Sequence, residues 1–167
     1  MEIFHVTSRG NAKEAIFRDD LDYLSFLRMF APAISQFSWS CYAFCLMPNH
    51  YHLLLETPDP NISSGMHLLN GRYARRFNVR HGRVGHVFGG RYHAEPIVRD
   101  EHLLEVCRYI ALNPVRAGLC NDPLAWPWSS YNRSWSFVDL TALHAVFGSE
   151  SQWQEFVADG AGRLQPG

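Results

Sequence analysis

Two histidines one residue apart, His50 and His52, stand in the apolar stretch LMPNHYHLLLE (46–56). On a strand, residues i and i+2 share a face, so the two imidazoles project together while Tyr51 and Leu53 point the other way. Such a pair binds a divalent metal when a third ligand arrives from elsewhere. A second candidate set lies in EVCRYIALNPVRAGL (105–119). Tyr109 and Asn113 are four residues apart and share a helix face. Asn113 could be the third ligand, and Tyr109 a nucleophile towards phosphate. Only roughly one free tyrosine in a thousand is ionised at pH 7, and bringing its pKa to about 7 needs roughly 4 kcal/mol. A divalent cation polarising phosphoryl oxygens supplies several kcal/mol. Each residue also has a plain reading. The histidines could be satisfied core residues, Tyr109 could pack with its hydroxyl outward, and Asn113 could cap a short helix starting at Pro114. Cys41 and Cys45 could join the histidines in a zinc site, although their spacing fits no common zinc module.

The elements that would position these residues follow from periodicity. Residues 2–8 read as a strand, and Arg9-Gly10-Asn11 as a turn. Apolar residues recur at helical spacing from Asp19 to Phe37, with Asp19, Asp20 and Asp22 suited to the helix N-terminus. Residues 38–47 and 50–57 read as strands joined by a tight Pro48-Asn49 turn. Asn61 or Ser63 could cap a helix to about Arg80, with Met66, Leu69, Tyr73 and Phe77 on one face. A glycine-rich stretch follows, then a strand over 91–98 placed at an edge by Pro96. A helix from Asp100 should end near Asn113, because the residue before a proline avoids the helical region. Beyond Gly118 come the tryptophan-rich DPLAWPWSSY and an amphipathic stretch over 140–157. This order predicts an α+β sandwich with a mainly antiparallel sheet.

The 167 residues, 47% hydrophobic and 19% charged, suffice for a globular domain with its own core. No apolar run is long enough for a transmembrane helix. MEIFHVTSRGN lacks the pattern of a secretory signal. The four cysteines show no framework and read as reduced thiols of a cytosolic protein. Net charge is −1, but residues 72–116 carry nine arginines against four acids, and the remainder six basic residues against twelve acidic ones. A basic middle in a near-neutral chain suggests a polyanion-binding face or a solvated arginine-rich helix.

Six stretches in order, HVTSRGN (5–11), IFRDD (16–20), CLMPNHYHLLLETP (45–58), GRVGHVFGGRY (82–92), YIALNPVRAGL (109–119) and WPWSSY (126–131), resemble the REP-associated tyrosine transposases. These are a branch of the HUH single-tyrosine transposases. The resemblance implies a ferredoxin-like or RRM-like sandwich, with helices on one face of the sheet. It implies a domain over 1–118 and a helical C-terminal extension over 119–167. It implies a metal-dependent single-stranded DNA endonuclease and strand transferase acting on hairpins of repetitive extragenic palindromes (REP). His50, His52 and Asn113 would hold Mg2+ or Mn2+, and Tyr109 would form a 5′-phosphotyrosine intermediate. The basic GRYARRFNVRHGR (71–83) fits such a substrate. Arg72, Arg75, Arg76, Arg80 and Arg83, with Arg91 and Arg116, would bind DNA, and Tyr73 or Phe77 would either stack on bases or form the helix's core face. The resemblance further implies a cytoplasmic, nucleoid-associated protein with no membrane partner, monomeric rather than dimeric. The acidic tail (Asp139, Glu150, Glu155, Asp159) could compete with DNA for the arginines. Two other readings stand beside this one: a non-catalytic RRM-like protein that holds DNA or RNA hairpins, and a metal hydrolase with no covalent step.

Overall fold

The computed structural model describes residues 1–98, 100–132 and 135–162. Four strands form one antiparallel sheet: β1 (Glu2–Arg9), β2 (Ser40–Met47), β3 (His50–Thr57) and β4 (His93–Ile97), in the order β2-β3-β1-β4. The β2–β3 hairpin turns at Pro48-Asn49 as the sequence predicts, and β4 is an edge strand carrying Pro96. The hairpin turn is tied down from outside. The Pro48 carbonyl accepts the amides of Ile16 and Phe17 at 2.8 and 3.0 Å, and the Asn49 carbonyl accepts that of Gly10 at 2.8 Å.

Alternation along the strands gives the sheet two apolar faces. Val6, Phe44, Leu46, Tyr51, Leu53 and Leu55 meet α1 (Asp20–Gln36) and α2 (Ile62–His81). Asp19 caps α1 by accepting the Asp22 amide. Asn61 stands at the N-cap position of α2, but its side chain is used elsewhere: it accepts Trp39 Nε1–H and donates to the Phe37 carbonyl. Tyr73 and Phe77 are buried in this core, so they form the helix's core face and do not stack on bases.

The expectation of helices on one face holds for α1 and α2 and is corrected for the rest. α3 (Asp100–Arg116) covers the opposite face, with α4 (Leu140–Phe147) and α5 (Glu150–Gly162) behind it. The reason lies in β2 and β3. Tyr42, Ala43, Cys45, Met47 and Leu54 make the second face apolar too, and it needs its own cover. A register shift between Cys41 and Ala43 lets consecutive residues of β2 reach that face.

α3 also runs past its expected end, to Arg116 with Pro114 inside. Its last turn closes through Ala117 N–H to the Asn113 carbonyl and Leu119 N–H to the Pro114 carbonyl, with Gly118 at φ 69°. Burial of Pro114 with the preceding turn outweighs its lost amide. The segment after Gly118 runs along the outer edge of β2. Leu46 donates to the Trp128 carbonyl at 2.8 Å, and Trp126 Nε1–H donates to the Leu46 carbonyl at 3.0 Å. That strand edge is thereby covered.

Candidate active site

Three elements meet on the α3 face. β3 brings His50 and His52, and β1 brings His5, Thr7 and Arg9, with Thr7 directly opposite His52 and Arg9 opposite His50. The buried stripe of α3 (Leu103, Val106, Cys107, Ile110, Ala111) seats the helix so that Tyr109 lies over the strands. The His50 and His52 rings are 5.0 Å apart between centroids, and the Tyr109 ring lies 5.4 Å from that of His52. Tyr109 is 37% exposed, whereas His52 and Asn113 are 5% and 7% exposed. A reacting group could therefore reach the tyrosine from solvent and find the other two already in place. The sequence-predicted quartet of His50, His52, Tyr109 and Asn113 is thus brought to one face. Asn113 lies inside α3, not at the cap of a new helix.

Each histidine of the pair has its own Nδ1 neighbour. His50 Nδ1 is 2.7 Å from Asn49 Oδ1. Asn49 Nδ2 donates to the Lys13 carbonyl at 3.2 Å, which orients the amide so that its oxygen faces the imidazole. His50 therefore donates through Nδ1–H and keeps its lone pair on Nε2. Asn113 lies near His50 and favours its charged form. His52 Nδ1 is 3.0 Å from His5 Nε2, and the two rings stack at 5.2 Å. His52 Nε2 is buried with no hydrogen-bond partner.

Burial dominates the electrostatics. It pushes the pKa of His52 down to about 3, with His5, His50 and Arg9 adding repulsion. Burial lowers His50 as well, helped by Arg9 and opposed by Asn113. His5 is lowered by burial and partly restored by Glu95, its cross-strand neighbour on β4. The imidazoles are neutral at pH 7, as metal ligands must be. The donor set is two imidazoles and an amide oxygen, and the bare, buried His52 Nε2 is the observation that fits a cation. Among the described residues no group of three or more His, Cys, Asp or Glu side chains is arranged to hold a metal. The zinc reading fails on geometry: Cys41 belongs to the α1/α2 core and Cys45 to the α3 face.

Three comparisons bear on this arrangement. The sequence profile of the family described as "Transposase IS200 like" matches residues 2–113, two thirds of the chain. The chain belongs to the IS200-like transposase family. A Haemophilus influenzae protein bearing the name REP-associated tyrosine transposase is 26% identical over 124 residues, covering 67% of this chain and 70% of that protein. The solved structure of a REP-associated tyrosine transposase bound to a REP hairpin is similar in fold, with a TM-score of 0.65 and 18% identity. The match covers 79% of this chain and 77% of that one.

Family membership places the chain among enzymes of DNA nicking and strand transfer. In this IS200-like transposase the seven predicted arginines separate into groups. Arg116 reaches the site, its guanidinium 5.1 Å from the Tyr109 ring centroid. Arg72, Arg75 and Arg76 are exposed on α2, across the sheet from Tyr109, and Arg91 is exposed in the loop before β4. Arg80 is held by Asp19 at 2.7 Å and by the buried Asp22 at 2.6 Å, and Arg83 by Glu14 at 2.6 Å. These two arginines are bound into the protein.

Sequence reasoning missed His5. Period-two alternation on β1 puts His5, Thr7 and Arg9 on one face, and antiparallel pairing with β3 would have brought that face to the histidine pair.

Proposed function

We propose that this chain nicks and rejoins single-stranded DNA at the foot of a REP-type hairpin, through Tyr109 and a divalent cation held by His50, His52 and Asn113. The observation that carries it is one placement: the exposed Tyr109 on α3 stands over a histidine pair whose inner member has a buried, unpartnered Nε2. The hairpin itself comes from the likeness to the REP-associated relatives.

The chain's residues divide the work. Tyr109 Oη attacks phosphorus, the bond to the 3′ oxygen breaks, and that oxygen leaves as a 3′-OH. The tyrosine proton passes to solvent, and the 5′ phosphate stays on the tyrosine. Attack by a 3′-OH on the phosphotyrosine reverses these steps and rejoins strands with no outside energy source. Arg116, lying against the Tyr109 ring, places a positive charge beside the reacting group. When bound, Mg2+ or Mn2+ would polarise the phosphoryl oxygens and neutralise charge developing on them. The mixed nitrogen and oxygen donors suit Mn2+ better than Mg2+, which prefers oxygen.

The test incubates hairpins carrying single-stranded 5′ extensions with the protein and Mn2+, then runs denaturing gels. A covalent protein–DNA adduct that needs the cation and disappears in Tyr109→Phe is expected, with hairpin binding retained by the variant. Cleavage unaffected by Tyr109→Phe would instead mark a hydrolase using water. Hairpin binding without cleavage would mark a binding protein.

A further inference from the structure

His5 carries none of the roles above, yet it makes the closest contact to the site's inner histidine. Its Nε2 lies 3.0 Å from His52 Nδ1, with the rings stacked at an interplanar angle of 23°. One proton lies between these two nitrogens, and its owner decides what His52 presents on its other side. If His5 donates, His52 carries its own proton on Nε2, a buried N–H with no acceptor. If His52 donates, its Nε2 is a bare lone pair.

We propose that His5 is a positioning residue for the cation site: it accepts the Nδ1–H of His52, fixes that tautomer, and so turns the Nε2 lone pair of His52 towards the cation.

The neighbouring histidine supports this direction. His50 is set in the same way by a different residue. Asn49 Oδ1 can only accept, so His50 also carries its proton on Nδ1 and its lone pair on Nε2. Two neighbouring imidazoles that must share one cation then offer the same nitrogen. An imidazole's partner on the nitrogen away from a metal orients the ring and raises its basicity, an effect typically worth 10- to 100-fold in metal affinity.

This inference rests on the metal reading of the site, and its test separates the two. The first readout is the tautomer of His52 in metal-free, 15N-histidine-labelled protein, read from long-range nitrogen–carbon-proton correlations. Wild-type protein is expected to show His52 protonated at Nδ1. His5→Phe keeps the ring and removes the acceptor, so His52 should lose its single tautomer. Mn2+ affinity, measured by titration calorimetry without DNA, should fall by roughly tenfold or more. His5→Gln retains an acceptor near the Nε2 position and should recover most of that loss, which a merely space-filling role would not require. His52 protonated at Nε2 in the wild-type protein overturns the proposal, whatever the metal does. So does His5→Phe binding Mn2+ as tightly as wild type. Should His5→Phe fail to fold, the wild-type tautomer and the His5→Gln titration still decide. A wild-type protein that shows the Nδ1–H tautomer but takes no Mn2+ would overturn the metal reading and leave the tautomer assignment standing.

Discussion

At the scale of single residues, the site is governed by burial of groups that water would otherwise protonate. His52 is 5% exposed, and its pKa lies near 3 against an ordinary 6.5. The unfolded chain therefore takes up a proton near pH 6.5 that the folded chain refuses until far lower pH. Between those values the unfolded state binds more protons, so stability rises with pH. The contribution is complete above about pH 7.5 and is lost progressively below 6.5, at up to about 1.4 kcal/mol per pH unit for one such histidine. His50 and His5 shift in the same direction and add to the slope. Urea unfolding of metal-free protein at pH 6 and pH 5 should show the wild type losing more stability than His52→Gln, by about 1 kcal/mol across that unit. Equal losses in the two proteins would mean that His52 is not held neutral by the fold.

At the scale of elements, function depends on how α3 is seated. Tyr109 and Asn113 have their positions only because α3 is clamped between the sheet and the C-terminal helices. α5 comes close to α3 at Gly160. A Cβ there would stand 2.6 Å from Arg108 Cδ and 3.0 Å from Leu112 Cδ1, and Arg108 already lies across the Phe156 ring at 4.2 Å. Gly160→Leu should push α5 from α3 and cost about 1–3 kcal/mol, read as a lower urea midpoint. Faster hydrogen exchange along α5, with Tyr109 adduct formation reduced, would accompany it; an unchanged midpoint would show that the tail is not part of the clamp. The sequence made the local parts of this scale legible. The Pro48-Asn49 turn, the alternation that pairs His50 with His52, and the Tyr109–Asn113 spacing are all short-range patterns. The side of the sheet that α3 would take was not legible, because it depends on a shift in β2 that exposes Tyr42 and Ala43 to the same core. Nor was the helix running through Pro114, where tertiary burial overrides a local rule. His5 was legible in part: its strand was recognised, but its partner is 47 residues away.

At the scale of the whole molecule, charge is distributed on both sides of the sheet. Arg116 stands at the tyrosine, whereas the exposed Arg72, Arg75 and Arg76 lie on the α2 side. The glycine-rich loop before β4 joins the two regions: Gly89 donates to the Arg9 carbonyl at 3.0 Å, and Arg91 lies on the loop's outer side. A groove of about 610 Å3 opens between this loop and α2, lined by His67, Asn70, Phe88, Arg91 and Tyr92 among others. A hairpin held by the α2 arginines would send its single strand around this end of the sheet to reach Tyr109. Changing Arg72, Arg75 and Arg76 together to Ala should then lower hairpin affinity and reduce the salt dependence. The log–log slope should fall by about 0.7–0.9 for each phosphate that the protein no longer neutralises. Adduct formation on a saturating, stem-less oligonucleotide should persist, because those arginines do not touch the tyrosine. Arg80→Ala should behave differently. It strips a partner from Asp22, which is 1% exposed, and should lower the thermal midpoint while leaving the salt slope intact. If the triple variant kept the full salt slope and Arg80→Ala reduced it, the DNA would have to follow the α1–α2 seam, and the path around the glycine-rich loop would be wrong.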